Sequence, residues 1–240
     1  MTRTMSIGGV PIRDTSSSAL VRFLGRLNFT TRPVIVGFVN HNFVVRCQDL
    51  CRLTTGSKGI LLVNDGVGVE IAAFLTYRRG FNENMNGTDF LPLFLAKAKP
   101  ELRIYLLGGA VETLQEAARM IDSLPRRRVV GRWDGVSVWA KEADVIRDIN
   151  ASRPDVLLVG FGNPLQERWI LKHRNALDVS IVFAVGALFE WMTGRRHRAP
   201  LFVRRLRLEW LYRLMLEPKR LAKRYTLDVV RFFTLVHRHK

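Results

Sequence analysis

The sequence predicts an α/β fold: a Rossmann-like, mostly parallel sheet flanked by helices, followed by a basic helical C-terminal appendage. Three observations carry this expectation. Short apolar, β-branched runs alternate with helical patterns of about 10–14 residues, the signature of βαβ units. Glycine-bearing turns follow several of those runs, at Gly66–Gly68, Gly108-Gly109 and Gly160–Gln166. From Arg195 to Lys240 the chain turns basic, with 14 Lys and Arg against three acids, Glu209, Glu217 and Asp228.

The elements come in order. Met5–Ile12 has apolar residues on both sides of Gly8-Gly9 and reads as a hairpin. Asp14-Thr15-Ser16 offers caps for a helix to about Leu27. Val34–Val39 is a β-branched strand, and Phe43–Leu53 has helical spacing after Asn40-His41-Asn42. Gly59–Val63 is the next strand, Val69–Arg78 a helix, and Gly80–Asn86 a polar, Asn-rich linker. Asp89–Lys97 reads as a short helix, Arg103–Leu107 as a strand and Val111–Leu124 as an amphipathic helix. Strands at Val129–Arg132, Val156–Val159 and Val179–Ala184 alternate with helices at Ala140–Ala151 and Leu165–Ala176. In the tail, Leu206, Trp210, Leu211, Leu214 and Met215 fall at helical spacing, as do Leu227, Val230, Phe233 and Leu235. These faces suit packing on a core or lying in a bilayer interface.

Composition sets limits. A chain of 240 residues suits one large domain or a domain with an appendage, here 1–194 and 195–240. A hydrophobic content of 48% indicates a globular chain. The formal charge of +17 calls for an anionic partner: nucleic acid, a nucleotide sugar or an acidic membrane. Cys47 and Cys51, four apart, read as small buried hydrophobes of a reducing cytosol, with no metal-type Cys/His cluster beside them. No signal peptide or transmembrane helix is expected.

The candidate chemistry lies in the loops at the carboxyl ends of the strands, where parallel sheets bind ligands. Asp65 ends an apolar strand in LLVNDGVGVE and reads either as a general base for a sugar hydroxyl or as a cap of the following helix. Gly66 and Gly68 allow close approach of backbone to ligand. Gly108-Gly109 precedes a helix with Glu112 in its first turn and suits a diphosphate or a plain tight turn. In GFGNPLQE, Gly160 and Gly162 permit close approach while Gln166 and Glu167 suit hydrogen bonds to sugar or uracil; capping by Asn163 and Glu167 is the alternative. Asn40, Asn64, Asn86, Asp89 and Gly186 complete the set of expected donor and acceptor contacts. No DxD-type acid pair accompanies Asp65, so no metal is expected, and cationic side chains are expected to neutralise a leaving group. Two other classes stay open: a basic nucleic-acid-binding protein, against which stands the absence of a recognised motif, and an NAD(P)-dependent enzyme, against which stands the missing GxGxxG.

The ordered set NDGVGV, NGTD, LLGGA, VGFGNPLQE, FAVGALFEWMTGRRHRAP and LEWLYRLMLEPKRLAKRY resembles the WecG/TagA/CpsF glycosyltransferase family over roughly Val34 to Tyr225. The NMNGTDF stretch looks most like the GumM-type exopolysaccharide glucosyltransferases. The resemblance implies a metal-independent, inverting transfer from a UDP-sugar, a substrate rather than a cofactor, to a polyprenyl-diphosphate-linked sugar. Glucose is the expected donor sugar, with N-acetylmannosamine or its uronic acid as the alternative. By resemblance Asp65 matches the base of the DGxG motif, and Gln166 matches a residue close to the donor sugar. Arg213, Arg220 and Arg224 match arginines of an appendage that closes over the site, binds the diphosphate and docks on an anionic membrane. Peripheral attachment to the cytoplasmic face of the bacterial inner membrane, and homo-oligomers, are further implications. The chain departs from the family in having Phe38 where a Thr is common and Asn84 where an Arg is frequent.

Overall fold

The structure is a computed structural model and describes residues 3–27, 32–50, 59–98, 101–200, 202–203 and 208–239. The hairpin expected around Gly8-Gly9 forms. β1 (Arg3–Ile7) and β2 (Val10–Asp14) pair antiparallel across the two glycines, both at positive φ. Ser16 caps α1 (Ser17–Leu24), its Oγ accepting from the Ala19 amide at 3.3 Å. Next come β3 (Val34–Val39), α2 (His41–Arg46), β4 (Ile60–Asn64), α3 (Val67–Tyr77) and α4 (Gly87–Lys97). β5 (Leu102–Leu107), α5 (Val111–Asp122), β6 (Arg127–Trp133), α6 (Glu142–Ser152), β7 (Val156–Val159), α7 (Leu165–His173), β8 (Ile181–Ala184) and α8 (Leu188–Met192) complete the α/β part. The tail forms α9 (Glu209–Leu216), α10 (Pro218–Tyr225) and α11 (Leu227–Arg238).

The strands make one sheet in the order β1-β2-β4-β3-β8-β7-β5-β6, parallel throughout except for β1. Every residue of β3, β7 and β8 is buried, as strands covered on both faces must be. Alternation then decides the layers. Val36, Phe38, Leu106, Leu158 and Phe183 face α1, α4, α5 and α8. Ile35, Tyr105, Leu157 and Val182 face α6 and α7, and Val39 and Leu62 meet α2, α3 and α11 on that same side. The neighbouring strands β3 and β8 therefore send their following helices to opposite faces. Phe43 and Val44 of α2 join one layer, and Leu188 and Phe189 of α8 the other. This opens a crevice at the carboxyl ends of the central strands.

Some boundaries differ from expectation. Within the Phe43–Leu53 pattern, α2 begins two residues earlier under the Asn40 cap and ends at Arg46; the chain breaks at Cys47 and is helical again at residues 48–50, and residues 51–58, Cys51 among them, lie outside the described residues. α3 starts at Val67, so Gly68 belongs to a helix rather than to a turn. α4 begins at Gly87 because Asn86 caps it, accepting from the Thr88 amide at 2.9 Å. The linker at 80–86 is stitched down. Asp14 accepts from the Asn82 amide at 2.8 Å, Glu83 accepts from the Ser17 amide at 2.8 Å, and Asn64 Nδ2 donates to the Glu83 carbonyl at 2.9 Å. Of the tail pattern, Leu206 lies outside the described residues.

The last helix is a core element. α11 runs beside α2 and buries Phe232 and Val236 with Phe43, Val44 and Cys47. Its buried Asp228 pairs with Arg46 of α2 at 3.2 Å. Phe232→Ala removes a fully buried ring, and a loss of about 3–5 kcal/mol in urea unfolding is expected. Val230→Ala, on the exposed face of the same helix, should stay within about 0.5 kcal/mol.

Candidate active site

Asp65 stands at the carboxyl end of β4, its amide donating to the Val39 carbonyl at 2.8 Å, which completes the ladder to β3. One strand over, Asn40 plays two parts. Its Oδ1 accepts from the Phe43 amide at 3.1 Å and caps α2, while its Nδ2 donates to Asp65 Oδ2 at 3.2 Å. The amide thus aims the carboxylate. Asp65 does not take the cap position of α3, which Gly66 holds at φ 86°. The Gly66 amide donates to Asn84 Oδ1 at 3.0 Å. Asn84 thereby secures the turn beside Asp65.

Two chambers meet at Asp65. The more polar one, about 550 Å³, spreads over the ends of β3, β7 and β8 and takes in Gly160, Gly162, Gln166, Gly186, Glu190 and Trp191. Arg46, Arg196 and Arg213 add three guanidinium groups to its wall. The second, about 340 Å³, lies between α3 and the tail helices and is bounded by Ile71, Trp210, Val229, Phe232 and Phe233. Asn40, Asp65, Asn86, Arg213 and Tyr225 belong to both. Arg213 is held by an ion pair to Glu209 and lies 4.6 Å from the centre of the Trp191 ring. His41 sits 5.5 Å, ring to ring, from Tyr225.

Gln166 closes the polar chamber's floor. Its Oε1 accepts from the Gly162 amide at 3.1 Å and the Gly186 amide at 2.9 Å, tying the loop after β7 to the loop after β8. Its Nε2 donates to Glu167 Oε1 at 2.7 Å, and Asn163 Nδ2 donates to the same oxygen. Glu167 is buried, with the Cys47 thiol 3.8 Å from Oε2. Burial is the largest influence on it and pushes its pKa up from the ordinary 4.5, against the hydrogen bonds from Gln166 and Asn163. Pro164 holds the cap position of α7, and Glu167 lies in its first turn. The Glu167 carboxylate anchors the Gln166 amide and orients it.

Other expected residues sit apart from the chambers. A Cβ on Gly108 would meet the Gly160 backbone at 2.8 Å, and the Gly109 carbonyl accepts from the Gly135 amide at 2.9 Å. Gly108 is thus required by the close approach of the Gly160 backbone and Gly109 by its φ of 84°, and neither glycine bounds either of these two chambers. Asn64 is buried and holds the 80–86 segment. Asp89 binds Arg198 through both oxygens, at 2.7 and 3.0 Å, fastening the start of the basic segment to α4. The side chains of Arg220 and Arg224, on α10, lie outside the described residues. Arg46, Glu190, Arg196 and Tyr225 were missed as wall residues. For Arg46 a signal existed, since Asn42 and Arg46 are spaced i,i+4 beyond a strand end and hydrogen-bond at 2.9 Å. Among the described residues no group of three or more His, Cys, Asp and Glu side chains is placed to hold a metal ion. Among them no helix is long and apolar enough to cross a membrane.

Comparison with known proteins gives one consistent picture. A family model described as "Glycosyl transferase WecG/TagA/CpsF family" matches residues 5–240. An N-acetylglucosaminyldiphosphoundecaprenol N-acetyl-β-D-mannosaminyltransferase of Bacillus subtilis is 26% identical over 225 residues, 91% of this chain and 86% of the relative. Its namesake from Bacillus spizizenii is 29% identical over 187 residues, 77% and 70% of the two chains. The Staphylococcus aureus protein of the same name is 27% identical over 163 residues, 68% of this chain and 63% of that one.

Glu167 supplies a pH test. Because its folded pKa is raised, its contribution to stability is complete below the unfolded value of 4.5 and is lost as pH rises through the folded value. Glu167→Gln keeps an oxygen for Asn163 and Gln166 but cannot ionise. Thermal unfolding followed from pH 4 to pH 8 should show the wild type losing ground to the variant as pH rises. Parallel curves would contradict the assignment.

Proposed function

We propose, on the premise that the chain belongs to the WecG/TagA/CpsF glycosyltransferase family, that it moves a sugar from a UDP donor to a polyprenyl-diphosphate-linked sugar with inversion. The observation that carries this reading is the position of Asp65 in the wall shared by a polar, arginine-lined chamber and a more apolar one. The polar chamber receives UDP and its sugar. The apolar one receives the acceptor sugar, with the first part of its lipid.

In the proposed reaction, Asp65 takes the proton of an acceptor hydroxyl, with Asn40 holding the carboxylate in place. The acceptor oxygen attacks the anomeric carbon from the face opposite UDP. The new C–O bond forms as the bond to the diphosphate breaks, and UDP leaves with the electron pair. An α-linked donor gives a β-linked product. Arg46, Arg196 and Arg213 neutralise the departing diphosphate, so the reading assigns this role to guanidinium groups and none to a metal. Arg220 and Arg224 are assigned the same work by resemblance. Residues 195–240 are assigned to closing the site and to peripheral attachment at the cytoplasmic face of an anionic bacterial membrane, where each Lys or Arg near the surface contributes about 1 kcal/mol. Nucleic acid has no part in this reading.

The relatives support N-acetylmannosamine over glucose as the transferred sugar, and N-acetylglucosaminyl-diphosphoundecaprenol as the type of acceptor. One observation favours a second reading. Phe38 places a ring in the polar chamber against Gly87, where the family often has a hydroxyl, which suits a donor with different substituents, glucose among them.

Asp65→Asn should lower UDP release in the presence of a lipid-diphosphate acceptor by about 10²–10⁴-fold, the usual scale for a general base. Turnover close to wild type would remove Asp65 from that role. UDP-sugars offered with a synthetic lipid-diphosphate N-acetylglucosamine, read by mass spectrometry, should yield the N-acetylhexosamine product. A hexose product would favour the Phe38-based reading.

A further inference from the structure

Helix α3 leaves the site directly after Gly66, and one of its stripes, Val69, Ala72 and Ala73, is buried on the sheet. A surface helix ordinarily turns polar residues to the other side. α3 instead turns out Ile71, Phe74 and Leu75 at i, i+3 and i+4. α11 lies beside it and adds Leu227 and Val230. These five residues keep between 44% and 67% of their surface exposed. Ile71 also walls the apolar chamber, so the exposed ridge and the chamber are continuous. Exposed cations stand at the rim: Arg78 ends α3 and Arg231 comes directly after Val230.

We propose that the shared outer face of α3 and α11 enters the interfacial layer of an anionic bilayer, placing the mouth of the apolar chamber at the edge of the lipid. The membrane contact then lies in the helix that follows the base as much as in the basic tail. Charge decides between occupants. A second copy of this chain, itself +17 overall, would set like-charged Arg78 and Arg231 against one another, whereas an anionic leaflet complements them. Phe74 stands seven residues beyond the start of α3, about 10 Å along it at 1.5 Å per residue. A diphosphate and one sugar bridge the interval from the lipid to Asp65. That last step rests on the proposed transferase reading; the docking does not.

The full-length F74E/L75E variant tests it, since both side chains are exposed and neither bounds a chamber. Co-sedimentation with vesicles of anionic and zwitterionic lipid should show wild-type binding to the former, reduced about tenfold or more in the variant. Transfer to a long-chain acceptor embedded in those vesicles should fall in parallel, and transfer to a short-chain, water-soluble acceptor should stay unchanged. Unaltered vesicle binding would overturn the proposal. So would vesicle binding retained together with the loss of an oligomer in light scattering, which would make this face a contact between copies. Wild-type binding to vesicles without transfer to either acceptor would count against the transferase reading alone.

Discussion

The site depends on one topological constraint, the divergence of the chain after two neighbouring strands. β3 and β8 pair in register from Val34 and Ile181 to Gly37 and Ala184, yet α2 and α8, the helices after them, go to opposite faces of the sheet. The backbone groups at those strand ends cannot be covered by a common element, so a crevice remains there. Asn40, Asp65, the Gly160–Gln166 loop and Gly186 surround it because each comes after a central strand. Strands farther from the centre contribute less: β5, next to the edge strand β6, ends in Gly108-Gly109, which lie against Gly160 and Gly135.

Around this crevice, polar residues work mainly on one another. Gln166 directs both lone pairs of its oxygen to the amides of two loops, and Glu167 fixes which way the amide points. Asn40 caps a helix and restrains Asp65 with the two ends of one amide. Asn84 secures the Gly66 turn, and Asn64 secures the segment that carries Asn84. Each group is oriented before a ligand arrives, the condition under which a base and a charged leaving group are best stabilised. Glu167 is buried to maintain this order, and its raised pKa is the physical trace of that burial.

The C-terminal segment joins two tasks in one helix. α11 puts Phe232 and Val236 into the core beside α2 and lends Val229, Phe232 and Phe233 to the apolar chamber, while Leu227 and Val230 face outward. Asp89–Arg198 and Asp228–Arg46 fasten its two ends to the α/β part. Any movement of α9 and α10 over the chambers is therefore bounded by fixed points on both sides. Arg213, which reaches both chambers from α9, is the side chain through which such a movement would be felt at the site.

By itself the sequence determined the α/β class, the alternation of strands and helices, and the strand-end position of Asp65. These rest on local periodicity and on single residue types, which need no knowledge of distant partners. The motif order also pointed to the family that the match over residues 5–240 establishes. Only the tertiary structure decided what each of these residues touches. A glycine pair has the same local conformation whether a ligand or another loop approaches it, so the packing of Gly108 against Gly160 could not be read in advance. That Gly66 rather than Asp65 holds the cap position of α3, and that Asn40, 25 residues away, engages the Asp65 carboxylate, are features of the same kind. The amphipathic tail is equally silent about its partner, because a core and a bilayer both select apolar stripes. Phe232 and Val230 are two residues apart on one helix, and which of them meets protein is settled by where α2 and α3 place their own apolar faces.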